Sequence, residues 1–230
     1  MSEDLNHFFF GIYPYLAVMV FVVGCFIRYE REQYTWHASS SLLLDKSRSF
    51  MIGNNLFHWG ILLLFAGHFV GLLTPHAVYE PFISAPTKQL LAMIAGGIFG
   101  SICFIGMTLL VFRRLFNPRV RKTSRVSDIL ILLLLYVQLM LGLISIGVSA
   151  HHLDGGSMMV LASWAQHIIT FQAGAATDLM GESIIFKAHI VLGLTLFVVF
   201  PFTRLVHVLS APMQYLWRTG YQIVRARTAR

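Results

Sequence analysis

Five runs of about twenty apolar residues constrain this chain more than any other feature, because a helix of that length is what crosses the hydrocarbon of a bilayer. They fall at about 8–27, 53–73, 90–112, 129–148 and 184–206. All are too long for strands of a membrane barrel, and none alternates with period two. A helix pairs every backbone polar group within its own segment, which hydrocarbon demands. The 230 residues are 57% hydrophobic and 12% charged, with a mean hydropathy of +0.70. A soluble domain of this length could not bury so much apolar surface. The expected fold is an all-α membrane protein, a five-transmembrane-helix bundle forming one domain over 1–230. There is no internal repeat and no low-complexity segment.

The formal charge is +7, and its placement says more than its size. Arg28, Arg31, Lys46 and Arg48 follow the first segment; Arg113, Arg114, Arg119, Arg121, Lys122 and Arg125 follow the third. Arg204, Arg218, Arg225, Arg227 and Arg230 close the chain, leaving only Lys88 and Lys187 for the other side. The positive-inside rule then puts the N-terminus outside and the C-terminus in the cytoplasm. Such loops fit contact with anionic lipid or a partner protein, and nucleic-acid binding is a poor reading of them. Glu3 and Asp4 precede the first segment, contrary to a cleavable signal, so that segment is expected to be retained. Cys25 and Cys103 lie inside two different spans and read as inert apolar residues, not as a disulfide.

Two of the segments carry histidines. His58 and His68 lie in LFHWGILLLFAGHFVGLL, and His189 and His207 bound HIVLGLTLFVVFPFTRLVH. An imidazole in lipid is costly, and an ionisable residue there is a functional hypothesis by default. Two antiparallel spans with two histidines each suggest ligands for a pair of haems, since imidazole suits iron and two fill both axial positions. No CxxCH occurs, so the haems would be b-type. By depth, His68 pairs with His189 near the outer face, and His58 with His207 near the inner one.

The rungs are uneven: ten residues separate His58 from His68, about 15 Å of rise, and eighteen separate His189 from His207, about 27 Å. Tilt, or a bend at Pro201, would have to absorb the difference. Eighteen residues are five full turns, so His189 and His207 are expected to share a face. Gly67 and Gly71 flank His68, Gly60 follows His58 and Gly193 follows His189. Small residues there leave room for a macrocycle or for a neighbouring helix, and both readings stand.

Lys88 is the single cation between the second and third segments. It is either a snorkelling interfacial lysine or a donor to a quinol oxygen. Arg204 and Arg114 are candidate partners for haem propionates, with an inner-side anchor as the alternative. His7, His76, His151, His152 and His167, near the outer surface, and His37, in the first inner loop, read as solvated or interfacial. The long connection after the fourth segment holds an apolar stretch, 158–171, too short to span; an interfacial helix or a lid over a lipid-side pocket is expected. Rival classes are a transporter with a histidine proton relay and a passive membrane anchor.

The stretch NNLFHWGILLLFAGHFVGLLTPH, followed by HIVLGLTLFVVFPFTRLVH, resembles the gamma subunit of respiratory nitrate reductase, a membrane cytochrome b. YTWHASS and RRLFNPRVR fit the same pattern, and the resemblance covers nearly the whole chain. It implies a quinol-oxidising subunit that takes electrons from menaquinol or ubiquinol near the outer face of a bacterial or archaeal cytoplasmic membrane. Two b haems, an outer one on His68 and His189 and an inner one on His58 and His207, would pass them inward, with Lys88 contacting the quinol and protons released outside. The partners implied are an iron–sulfur (beta) subunit and a molybdenum-cofactor (alpha) subunit that reduces nitrate. The cytochrome of another quinone-linked oxidoreductase, such as a hydrogenase, formate dehydrogenase or sulfur-reducing complex, is the near alternative.

Overall fold

A computed structural model describes residues 2–36 and 47–210. Among the described residues, five helical segments are long and apolar enough to cross a membrane: α1 (Glu3–Arg31), α2 (Arg48–Leu73), α3 (Ala85–Phe116), α4 (Val126–Ser149) and a fifth at Ile184–Phe202. Between the last two lies a shorter helix, α5 (Gly156–Ile169), and the α-helical part of the fifth span is α6 (Ile184–Val199). Ser47, Ser84 and Ser183 cap α2, α3 and α6, each accepting a hydrogen bond from a first-turn amide.

Proline shapes two of the spans. In α1, residues Phe8–Ile12 form a π turn, and the regular helix resumes at Tyr13. Pro14 has no N–H to offer the carbonyl four residues back, that of Phe10. Trp164 of α5 takes that place, its Nε1 donating to the Phe10 oxygen at 2.9 Å. In the fifth span, α6 stops at Val199, a 3-10 turn covers Phe200–Phe202, and Thr203 is extended before a second 3-10 stretch at Arg204–Ser210. The expectation of one regular helix over 184–206 is therefore corrected. His189 and His207 do not share a face by continuous α-helical periodicity, because Pro201 ends the α-helix between them.

The break is held from α1. Arg28 donates to the carbonyls of Pro201 at 2.6 Å and Thr203 at 2.7 Å. Pro201 seats against Gly24, where a Cβ would stand 2.8 Å from its ring.

Packing runs from α2 to α3, α3 to α4, α4 to α6 and α6 to α1, while α2 and α6 make little direct contact. The α2–α3 pairing is the most extensive, and it is built on small residues: a Cβ at Gly60 would lie 2.7 Å from that of Cys103. The apolar stretch after α4 folds as α5, too short to span, and packs on α2 and α3. A cluster of Phe10, Trp164, Ala165, Ala175, Ala176 and Leu179 ties it to α1.

Candidate functional site

His58 and His68 project from α2, the least buried of the five spans. Their Nδ1 atoms donate to the carbonyls one turn back, Asn54 and Leu64, both at 2.8 Å. His207 does the same to Arg204 at 2.5 Å. An Nδ1–H engaged this way fixes the tautomer and leaves Nε2 with a lone pair able to bind a metal. His189 is held differently, from α4. Gln138 Nε2 donates to the His189 carbonyl at 3.0 Å and lies 3.4 Å from the His189 Nε2, while the buried Nδ1 has no hydrogen-bond partner.

The rings of His68 and His189 face each other with centroids 6.1 Å apart and planes 31° apart. Two metal–imidazole bonds of about 2 Å, each with about 1.2 Å from nitrogen to ring centre, would space two axial centroids about 6 Å apart. The helices bearing this pair scarcely touch, and a Cβ at Gly67, beside His68, would meet nothing within 4 Å. Facing imidazoles with open space beside them fit a flat, iron-bearing macrocycle. His58 and His207 lie within electrostatic reach of each other at the opposite end of the bundle.

The glycines separate into two kinds. Gly60 is helix packing, Gly71 faces the Met158 methyl of α5 at 3.4 Å, and Gly193 faces the Gln138 amide at 3.2 Å. Gly67 alone among these four borders open space. Arg114 and Arg204 converge on one carboxylate, Asp128, at 3.8 and 3.9 Å, and Arg114 also donates to Ser124 at 2.9 Å. Two guanidiniums share one half-buried carboxylate there.

Lys88 does not snorkel outward. It is 8% exposed, and its ammonium lies 3.8 Å over the Tyr79 ring and 3.4 Å from the Thr74 carbonyl that ends α2. Gln166 of α5 donates to the neighbouring Leu72 carbonyl at 2.9 Å and reaches Thr74 at 3.4 Å. The C-terminal end of the histidine-bearing α2, the first turn of α3 and the shorter helix α5 thus meet at one corner. Of the remaining histidines, His76 pairs with Glu80 and His167 with Asp178. His37 lies outside the described residues, as do Lys46, Arg218, Arg225, Arg227 and Arg230.

Sequence reasoning passed over Gln138, Gln166, Tyr79 and Arg28. Gln138 had a signal, being the one amide side chain in ILILLLLYVQLMLGLIS, and a polar group inside a span seeks a partner. Arg28 read as one more cation on the inner side.

The profile of the nitrate reductase gamma subunit family matches residues 6–227. The chain is 53% identical to the respiratory nitrate reductase 1 gamma chain of Escherichia coli (strain K12) over 225 residues, covering 98% of this chain and 99% of the relative. It is 52% identical to the respiratory nitrate reductase 2 gamma chain of the same strain, over 99% and 100% of the two chains. The nitrate reductase gamma chain of Bacillus subtilis (strain 168) is 38% identical over 95% of this chain and 97% of its own length. With five membrane-length helices and likeness over essentially its whole length, the chain belongs to the nitrate reductase gamma subunit family.

Proposed function

We propose that this chain is the quinol-oxidising di-haem cytochrome b subunit of a respiratory nitrate reductase in a bacterial or archaeal cytoplasmic membrane. It would take electrons from menaquinol or ubiquinol near the outer face and pass them through two b haems to an iron–sulfur subunit. That partner would in turn feed a molybdenum subunit on the cytoplasmic side. The observation that carries the reading is the spacing of His68 and His189 across a gap that neither α2 nor α6 fills. Family membership supplies the context of a larger oxidoreductase.

His68 and His189 would hold the outer haem, and His58 and His207 the inner one. A haem held by such a pair would supply one-electron exchange there. The protein's part is orientation. Carbonyls one turn back hold three of the imidazoles by Nδ1, and Gln138 steadies the fourth. Lys88 would donate to a quinol oxygen, its ammonium held in a partly desolvated corner where such a bond is stronger than in water. Arg114 and Arg204, both beside Asp128, are suited to offset propionate charge at the inner end. The termini would sit with the N-terminus outside and the C-terminus inside, so electrons and released protons part across the bilayer. Moving one charge against the membrane potential costs about 2.3 kcal/mol per 100 mV, which quinol oxidation would supply.

A reduced-minus-oxidised spectrum of the purified chain, with haem quantitation, tests this directly. Two b haems per polypeptide are expected; a colourless protein would favour the histidine proton relay instead. Co-purified soluble subunits decide between nitrate reductase and another quinone-linked complex.

A further inference from the structure

Quinol oxidation on the outer side leaves two protons with no assigned destination. Lys88 cannot take them, because an ammonium that donates to the quinol oxygen already carries all three of its protons. A base must therefore stand near Lys88 and also reach water.

The short helix His76–Tyr79, between α2 and α3, carries such a group. His76 Nδ1 lies 3.1 Å from Glu80 Oε2, with side chains 42% and 64% exposed. The His76 ring packs edge-on to Tyr79 with centroids 5.1 Å apart, and the same Tyr79 ring lies under the Lys88 ammonium at 3.8 Å. The imidazole is thus within about 9 Å of the ammonium, a span that one or two bridging waters cover. Burial, with Glu80 adding to it, holds the Tyr79 phenol above its usual range. Tyr79 therefore stays neutral, shaping the path and not accepting the proton. The charged and titratable groups with contacts at this corner are Lys88, Tyr79, His76 and Glu80.

We propose that His76 and Glu80 form the proton-accepting pair through which quinol protons leave for the outer water. The inference rests on Lys88 being the quinol contact. Each quinol O–H bond breaks, the two electrons would pass to the redox groups that the four histidines would hold, and the two protons pass in turn to the imidazole and then to solvent. The Glu80 carboxylate holds the imidazole with one nitrogen toward itself and stabilises the imidazolium that forms, as a carboxylate does beside a catalytic histidine. An exposed pair of this kind adds little to stability, so its removal separates function from folding.

The test uses the full complex carrying His76→Gln, Glu80→Gln or both, with a soluble quinol analogue as donor. In the double variant kcat is expected to fall by at least about tenfold, with KM and haem content unchanged and turnover restored by imidazole in the buffer. The rescue is the readout that a structural role would not show. If Glu80→Gln lowers haem content, His76→Gln with rescue decides alone. Undiminished turnover in the double variant, or a loss that imidazole does not relieve, overturns the proposal. So does a rescuable loss found in His167→Gln instead, which would move proton exit to the His167–Asp178 pair. Lys88→Ala separates the two layers: if it leaves quinol turnover intact while the double variant still shows rescuable loss, the quinol contact fails and the proton exit stands.

Discussion

Arg28 and Pro201 are joined by a hydrogen bond of 2.6 Å from the guanidinium to the carbonyl, so α1 grips the chain at the place where the fifth span stops being an α-helix. His207 follows that break by six residues, and a second bond from the same guanidinium to Thr203 brings the grip closer to it. The turn that leads to His207 is therefore held by a residue on a span that carries none of the four histidines.

Replacing Arg28 by Met removes both bonds and leaves two carbonyls without their donor, a loss of about 1–3 kcal/mol for each buried group. The expected outcome is selective: inner-haem occupancy falls and the outer haem is retained. Redox titration of the haem absorbance, resolving two components, reads it. Equal loss of both components would show that Arg28 supports the bundle as a whole and not the inner end.

Trp164→Phe keeps most of the ring that packs edge-on to Phe10 at 6.4 Å and deletes only the indole donor. The Phe10 carbonyl freed by Pro14 is then unpaired in a buried setting, at a cost of about 1–3 kcal/mol. Thermal unfolding in detergent should start at a lower temperature. Pairing the change with Pro14→Ala, which restores the helical N–H, should recover most of the loss, and no recovery would sever the link between the two residues.

The five spans were legible because length and hydropathy depend on nothing outside each segment. The closeness of the His68 and His189 rings, 6.1 Å between centroids, was legible too, since depth along two antiparallel helices fixes which ends meet. What the sequence hid is tertiary. The π turn at Phe8–Ile12 lies just ahead of Pro14, and the Phe10 carbonyl there finds its donor in Trp164 of another segment. Pro201 read as a bend, but the chain leaves the α-helix altogether, and Arg28 donates to the Pro201 and Thr203 carbonyls at the break. Asp128 as the common partner of Arg114 and Arg204 depends on three segments converging, which no local pattern announces.

Gly60 and Gly67 look alike in sequence, each within two residues of a histidine, yet they predict opposite phenotypes. Gly60→Val drives side-chain atoms into the Cys103 backbone, where even a Cβ would lie 2.8 Å away, and overpacking of this kind costs about 1–3 kcal/mol. Lower yield and earlier thermal unfolding are expected. Gly67→Val adds atoms where nothing stands within 4 Å, so the bundle should fold with unchanged stability. Its effect falls on what enters the gap: outer-haem content or quinol affinity should drop. Normal pigment and turnover in Gly67→Val would return Gly67 to plain lipid-facing helix surface.

Lys88→Ala separates the two roles its position allows. As a structural lysine it would contribute the contact with the Tyr79 ring, about 0.5–2 kcal/mol, and the bond to Thr74; removing it would loosen the outer corner without touching chemistry. As the quinol contact, its loss removes a charge-assisted hydrogen bond worth about 1.5–3 kcal/mol, which is roughly ten- to over a hundredfold in quinol affinity or turnover. Lys88→Arg refines the distinction, because it keeps the charge and the stacking on Tyr79 but spreads the donors over a planar fork. The expected order of quinol oxidation is wild type, then Arg, then Ala, with two haems in every variant and electron entry from an artificial soluble donor unaffected. An alanine variant with ordinary quinol turnover but lowered thermal stability would assign Lys88 to the architecture of the outer corner alone.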